Sequence, residues 1–216
     1  VTRPTAPVRL AILAVGIVYS IILYLSGVEL DSFFKRLAAV LPALGAIAVT
    51  FWDVLLWRMP LFKHLTRRPR IDGLWSVELT PTAESHIPPG GNKGPIPAYM
   101  TVSQSYWSVH VRQFTAESSS RSRTFFWWQA NGADIECLTF IYENDPKQSH
   151  QHRSGRHVGT CVFDIATRSP RLLSGVYFTD RYTKGDLEAQ LIDRTKGYSS
   201  FDDIENYINM RKQVAP

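Results

Sequence analysis

Tyr177, Thr179 and Arg181 stand two residues apart in the segment SGVYFTDRYTKG, Ser174 to Gly185. On an extended strand that spacing puts a phenol, a hydroxyl and a guanidinium on one face. The chemistry open to such a row is recognition. A guanidinium takes a phosphate or carboxylate through two parallel hydrogen bonds, and hydroxyls supply donors and acceptors around it. Tyrosine can also stack on a flat base. Further residues of the same kind lie upstream. Ser118, Ser120 and Ser122 form an alternating serine row, and Gln104, Tyr142, Asn144, His157 and Thr160 add amides, hydroxyls and an imidazole. Trp75 offers a second stacking ring, and Arg121 or Arg123 a second cation. Polar groups facing an interior need partners, which water, other strands or a ligand can supply. The pattern leaves open which face points inward, because Val176 and Phe178 make the opposite face of the Tyr177 strand apolar.

Catalytic patterns are not evident. There is no hydrolase elbow, P-loop or paired-acid arrangement, and the serine run has no nearby base to activate a nucleophile. His150, His152 and His157 invite a metal reading. A bare H-x-H spacing without an acidic or cysteine partner does not carry it. The sequence therefore calls for no enzyme, no metal and no cofactor. Cys137 and Cys161 fall in strand-like stretches and are expected as free thiols.

Positioning those residues falls to a strand-rich region. GLWSVELT puts Trp75, Val77 and Leu79 on one face, and YWSVHVRQFT alternates Trp107, Val109 and Val111. SSSRSRTFFWWQA extends the serine row through Thr124, Phe126 and Trp128. With AYMTVSQS, DIECLTFIYEN, GTCVFDI, RLLSGVYFT and DLEAQLID, about eight strands result, separated by turn chemistry at Asn131-Gly132, Ser169-Pro170 and Lys184-Gly185. That spacing suits antiparallel hairpins. Eight such strands close into a barrel wide enough for one small ligand. Two loops interrupt the meander: one rich in Pro and Gly after Leu79, and ENDPKQSHQHRSGRHVG, rich in His and Arg. The end of the chain reads as a helix, with Ser200 and Asp203 as a capping box and Phe201, Ile204, Tyr207 and Ile208 as an apolar stripe. It is expected to pack on the barrel or plug one end.

The first third of the chain is different in kind. Val8–Leu30 carries no charge between Leu10 and Val28, and Arg36–Trp57 is a second span-length apolar run holding Pro42 and Gly45. Both are expected to be transmembrane helices. Ala39 and Ala43 offer a small-residue surface for helix association. Asp53 lies near the end of its helix, where hydration beside Arg58 would relieve the cost of a charge. Arg58, Lys63, Arg67, Arg68 and Arg70 follow the second run, and Arg3 and Arg9 precede the first. Positive-inside counting puts both termini in the cytoplasm and favours membrane over nucleic acid as the reason for the basic cluster. The domain division is residues 1–65 as a two-helix anchor and 66–216 as a cytoplasmic ligand-binding barrel. The net charge of +5 is compatible with anionic partners and does not specify one.

The order and spacing of DGLWSVEL, MTVSQSYWSVHVRQFTAESSSRSR, LTFIYEND, RHVGTCVFD and LLSGVYFTDRYTKGDLEAQL resemble the two-transmembrane β-barrel effectors of bacterial CBASS anti-phage systems. The more specific pieces are the serine-rich strand, the H-x-G-T segment at His157, Gly159 and Thr160, and the G-x-Y-x-T-x-R segment from Gly175 to Arg181. The resemblance implies a receptor for a cyclic dinucleotide made by a partner nucleotidyltransferase. It further implies self-association and disruption of the inner membrane. Two other readings of the residues stand beside it. One is a membrane-anchored lipid or fatty-acid-binding barrel, whose lumen would lack several buried hydroxyls. The other is a scaffold whose barrel docks a protein.

Overall fold

The computed structural model describes residues 6–26, 32–62, 66, 68–130, 133–194 and 197–214. The chain forms two compact units: Val1–Arg67 with Ser105–Ser108, and Arg68–Gln104 with Val109–Pro216.

In the first unit, helices α1 (Ala6–Leu25) and α2 (Ser32–Val54) pack on one another. Small surface matters here within the chain. A Cβ at Gly16 would lie 3.1 Å from the Pro42 carbonyl oxygen, so glycine lets α1 approach the α2 backbone. Ser20 and Thr50 return their hydroxyls to Gly16 O (2.8 Å) and Ala46 O (2.9 Å), which leaves no side-chain donor facing out at those positions. Among the described residues, no helix is long and apolar enough to cross a membrane. Residues 27–30 of the first expected span lie outside the described residues.

Asp53 differs from its sequence expectation. It is fully buried, and a loop rather than water meets it. Its Oδ1 accepts the Trp107 N–H (3.1 Å), and its carbonyl accepts the Tyr106 N–H (3.0 Å) and the Trp57 indole N–H (3.1 Å). Tyr106 also meets Trp52 and Trp57 edge to face. Trp107 thus sits in the Ser105–Ser108 connection and not in a strand, as its alternation with Val109 implied.

The second unit is a closed antiparallel barrel in simple up-and-down order: β1 (Gly73–Pro81), β2 (Ile96–Gln104), β3 (Val109–Thr115), β4 (Ser118–Trp128), β5 (Glu136–Pro146), β6 (His157–Ile165), β7 (Leu172–Thr179) and β8 (Lys184–Asp193), with β8 closing on β1. Inward positions alternate along each strand. Trp75, Val77, Met100, Val102, Val111, Leu138, Phe140, Phe163 and Leu173 fill the interior toward the end where the chain enters and leaves. That end is sealed by polar bonds as well. Gln104 accepts the Ile71 N–H (2.8 Å) and donates to Pro69 O (2.7 Å), while the Trp75 indole donates to Ile71 O (2.9 Å). Arg70 pairs with Asp72 at 2.8 Å, and Arg194 reaches the Asp72 carbonyl. Arg68 pairs with Glu136 at 2.5 Å and stacks over Trp127. Two members of the basic cluster are therefore held by the barrel; Lys63 and Arg67 lie outside the described residues.

Strand β4 departs from strict alternation. Its register against β5 shifts between Ser122 and Thr124, so Phe125 and Trp127 turn toward the core while Phe126 and Trp128 are exposed. The β-bulge also parts β4 from β3, whose paired residues end at Arg112↔Arg121. Ser122 Oγ then accepts the Val111 N–H (3.0 Å), which takes the place of a missing ladder bond. The turn before β8 is Thr179–Thr183, with Tyr182 at φ 62°, and Lys184 and Gly185 already belong to the strand. Asn131-Gly132 lies outside the described residues.

Helix α3 (Phe201–Val214) packs outside the barrel and does not plug it. Phe201, Ile204, Tyr207 and Ile208 meet Leu74, Tyr99, Phe114 and Ile192. Ser200 Oγ accepts the Asp203 N–H (3.1 Å), and Asp203 reaches back to the Ser199 N–H (3.0 Å). Replacing Trp75 by Ala removes the largest buried side chain of the sealed end and leaves the Ile71 carbonyl without its donor. It should lower unfolding stability by about 3–5 kcal/mol, read by denaturant titration.

Candidate ligand-binding site

The opposite end of the barrel, where β1–β2, β3–β4, β5–β6 and β7–β8 connect, holds a cavity of about 330 Å³. This volume suits a small-molecule site. The β4–β5–β6–β7 register builds its walls in tiers. Ser120, Asn144 and His157 are cross-strand neighbours in one tier, and Tyr142, Gly159 and Thr179 in the next. Cys161, Tyr177 and Gly185 follow below them.

Glycine shapes this wall. A Cβ at Gly159 would fall 2.4 Å from the Tyr142 ring, so the phenol lies across its neighbour only because no side chain stands there. Ser120 donates to Asn144 Oδ1 (2.8 Å), which turns the Asn144 amide nitrogen away from the serine. Thr115 and Ser118 hydroxyls lie 3.0 Å apart at the β3–β4 turn. The Thr179 hydroxyl meets Thr183 Oγ1 (2.6 Å) and accepts the Arg181 N–H (3.3 Å), so it organises the turn that presents Arg181.

Arg181 is the electrostatic feature of the cavity. Its Nη1 donates to Ser154 Oγ at 2.8 Å, and its buried Nε has no hydrogen-bond partner. Among the described residues no carboxylate forms an ion pair with it. A half-buried guanidinium with a buried, unpartnered Nε is suited to accept an anion. The phenols and the imidazole around it are shifted mainly by burial, with the carboxylates of Asp180 and Asp186 close enough to act on them. Burial pushes the Tyr142 phenol above its ordinary range, and burial followed by the charge of Asp186 pushes Tyr177 up to about 12. Burial lowers the His157 imidazole, opposed by its bond to the Gly155 carbonyl and reinforced by the charge of Arg181. The cavity thus sets Arg181 among hydroxyl, phenol and amide groups, with Leu79, Ile96 and Leu187 as an apolar part of the wall and Arg153 and Glu117 among its charged lining residues.

Of the residues singled out in the sequence, Ser118, Ser120, Tyr142, Asn144, His157, Tyr177, Thr179 and Arg181 line this cavity. Four do not. Trp75 and Gln104 belong to the sealed end, where they bind the entering backbone. Ser122 lies beyond the cavity and completes the β3–β4 ladder. Thr160 points outward, since its strand neighbours Gly159 and Cys161 hold the inward positions. Arg121 and Arg123 also point outward, paired with Glu143. Gln113, Arg153, Ser154 and Glu117 line the cavity without having been singled out. Gln113 was readable in the alternation Val109, Val111, Gln113; the loop residues had no periodic signal.

The Cap15 cyclic dinucleotide receptor domain model matches residues 66–190, which is more than half of the chain and includes all of the cavity wall. The chain belongs to the Cap15 cyclic dinucleotide receptor family. No curated protein matches it. The family assignment agrees with the resemblance to CBASS effectors at the level of the barrel, and the cavity is where the barrel of this Cap15 family member has room for a guest.

His157 provides a test of the electrostatics. Its pKa in the folded chain lies below the unfolded value near 6.5, so the unfolded chain takes up this proton first as pH falls. Its contribution to stability is intact above about pH 6.5 and declines below it. Thermal melting of the ligand-free protein toward acid pH should show a smaller loss for His157→Gln than for wild type. An equal loss would place the imidazole in water.

Proposed function

We propose that this chain is a membrane effector of bacterial anti-phage defence that binds a cyclic dinucleotide in the polar end of its barrel. The observation that carries the reading is Arg181, a cation with a buried unpartnered Nε in a cavity whose wall carries hydroxyl, phenol and amide groups. A phosphodiester supplies the missing negative charge and acceptor oxygens. The phenols of Tyr142 and Tyr177 and the amides of Asn144 and Gln113 are suited to the flat, edge-bonding bases. The receptor family supports the ligand class. A lipid carrier fits less well. The interior toward the sealed end is already filled by side chains, and the open cavity carries the hydroxyl and cationic groups an acyl chain would leave unsatisfied.

Binding does work by population shift: the ligand favours the state it binds more tightly, here an assembled form in the bacterial inner membrane that disrupts the bilayer. No catalytic step is required. Support for the membrane half comes from the helices and their flanks. Leu10, Val15, Tyr19 and Ile22 of α1, and Leu44, Val49 and Phe51 of α2, expose apolar surface that lipid would cover. The basic flanks support a reading with both termini on the cytoplasmic side.

Titration of the full chain in detergent with cyclic di-AMP, di-GMP, di-UMP and mixed GMP–AMP should give saturable binding to at least one. Arg181→Ala should weaken it by about tenfold or more, the size of a charge-assisted contact. Absence of saturable binding to every member removes the receptor reading. Vesicles carrying the full chain should release an entrapped dye when the bound dinucleotide is added; retention of the dye removes the membrane-disruption half.

A further inference from the structure

A cyclic dinucleotide carries two phosphodiesters, and Arg181 can neutralise one. The second cation of the cavity is Arg153, on the β5–β6 connection. Its present bonds tie three connections together. Nη1 donates to Gly90 O of the β1–β2 loop at 3.0 Å. Nη2 pairs with Glu117 of the β3–β4 turn and lies 3.1 Å from His150 Nδ1. Glu117 is itself on the cavity wall. A carboxylate there repels an incoming anion unless Arg153 masks it, and an Arg153 that masks it is not free for the anion.

We infer that Arg153 is the second phosphate-binding residue and that Glu117 holds it in reserve across the mouth of the cavity. This rests on the receptor reading above. The exchange is chemically even: a phosphodiester offers the same single charge and the same two-oxygen geometry as the carboxylate it replaces. The Glu117 side chain is 50 % exposed, so water can take over its solvation when Arg153 turns inward. An ion pair this exposed is weak, which makes it displaceable. Arg153 adjoins Ser154, which accepts the Arg181 hydrogen bond, so the β5–β6 connection and the β7–β8 turn bring the two cations to the same side of the cavity. Turning Arg153 inward also releases its bond to Gly90, which would let the β1–β2 loop move away from the mouth.

The test separates a competitor from a strut. Glu117→Gln keeps a hydrogen-bond acceptor for Arg153 and removes the competing charge. If Glu117 restrains Arg153, this variant should bind the cyclic dinucleotide that wild type prefers about threefold or more tightly, and Arg153→Gln should bind about tenfold or more weakly. The double variant should bind about tenfold or more weakly than Glu117→Gln, because the gain in that variant comes from the freed arginine. Arg153→Lys should fall between wild type and Arg153→Gln, since it keeps charge without the fork. Glu117→Gln binding that is weaker than or equal to wild type overturns the inference, as does Arg153→Gln binding within about twofold of wild type. Should Arg153→Gln not fold, Glu117→Gln alone decides. Wild-type binding with either of those results removes this inference only; no wild-type binding to any cyclic dinucleotide removes the receptor reading and this inference with it.

Discussion

Closing eight strands into a barrel gives a lumen that side chains can fill, and this chain fills it from one end only. Everything else about the molecule depends on that asymmetry. Large residues such as Trp75, Met100, Leu138 and Phe163 occupy the sealed end, and Gln104 locks the entering backbone to it. Toward the other end Leu79, Ile96 and Leu187 remain on the wall, but the inward positions of β4 to β7 become Ser, Asn, Tyr, Gly and Thr, which are too small or too polar to complete a core. The cavity is what remains when a packed barrel stops being packed.

Keeping such a cavity open needs support from outside the lumen. The outer apolar row of β1, β2, β3 and β8 is covered by α3, so the wall on that side is held by a second core of Leu74, Phe114 and Ile204. Thr179 spends its hydroxyl on the turn that carries Arg181, and Gly159 yields its space to Tyr142. These residues act by placing others. The sealed end can absorb the cost of a partly empty lumen because its own packing is dense and its polar groups are paired, a division between a stable half and a functional half.

The electrostatics follow the same division. Carboxylates of the barrel surface find arginines: Glu143 with Arg123, Asp145 with Arg156, Asp193 with Arg211. Inside the cavity burial raises the phenols of Tyr142 and Tyr177 and lowers the imidazole of His157, which disfavours the charged form of each. Arg181 and Arg153 against the Glu117 carboxylate on the cavity wall favour anions over cations without fixing which bases accompany them.

The eight-strand meander, the inward face of β1 and the helical end were legible in the sequence, because alternation with period two and a 3.6-residue stripe are local properties that survive without tertiary information. Tyr177 and Thr179 were legible for the same reason, whereas Arg181 reaches the cavity from the turn beyond the end of β7 and not as a strand position. What the tertiary structure alone decided was orientation and partnership. Periodicity cannot register a bulge, so the face of β4 beyond Ser122 read one way in sequence and lies the other way in the barrel. It also cannot say that Trp75 and Gln104 stand at the end of the barrel away from the cavity, since two residues on inward faces differ only in depth along the axis. Thr160 kept good company in its segment but fell on the outer face of β6. The pairing of Arg153 with Glu117 joins two connections separated by two strands, and chain distance holds no record of which loops meet once a sheet has closed on itself.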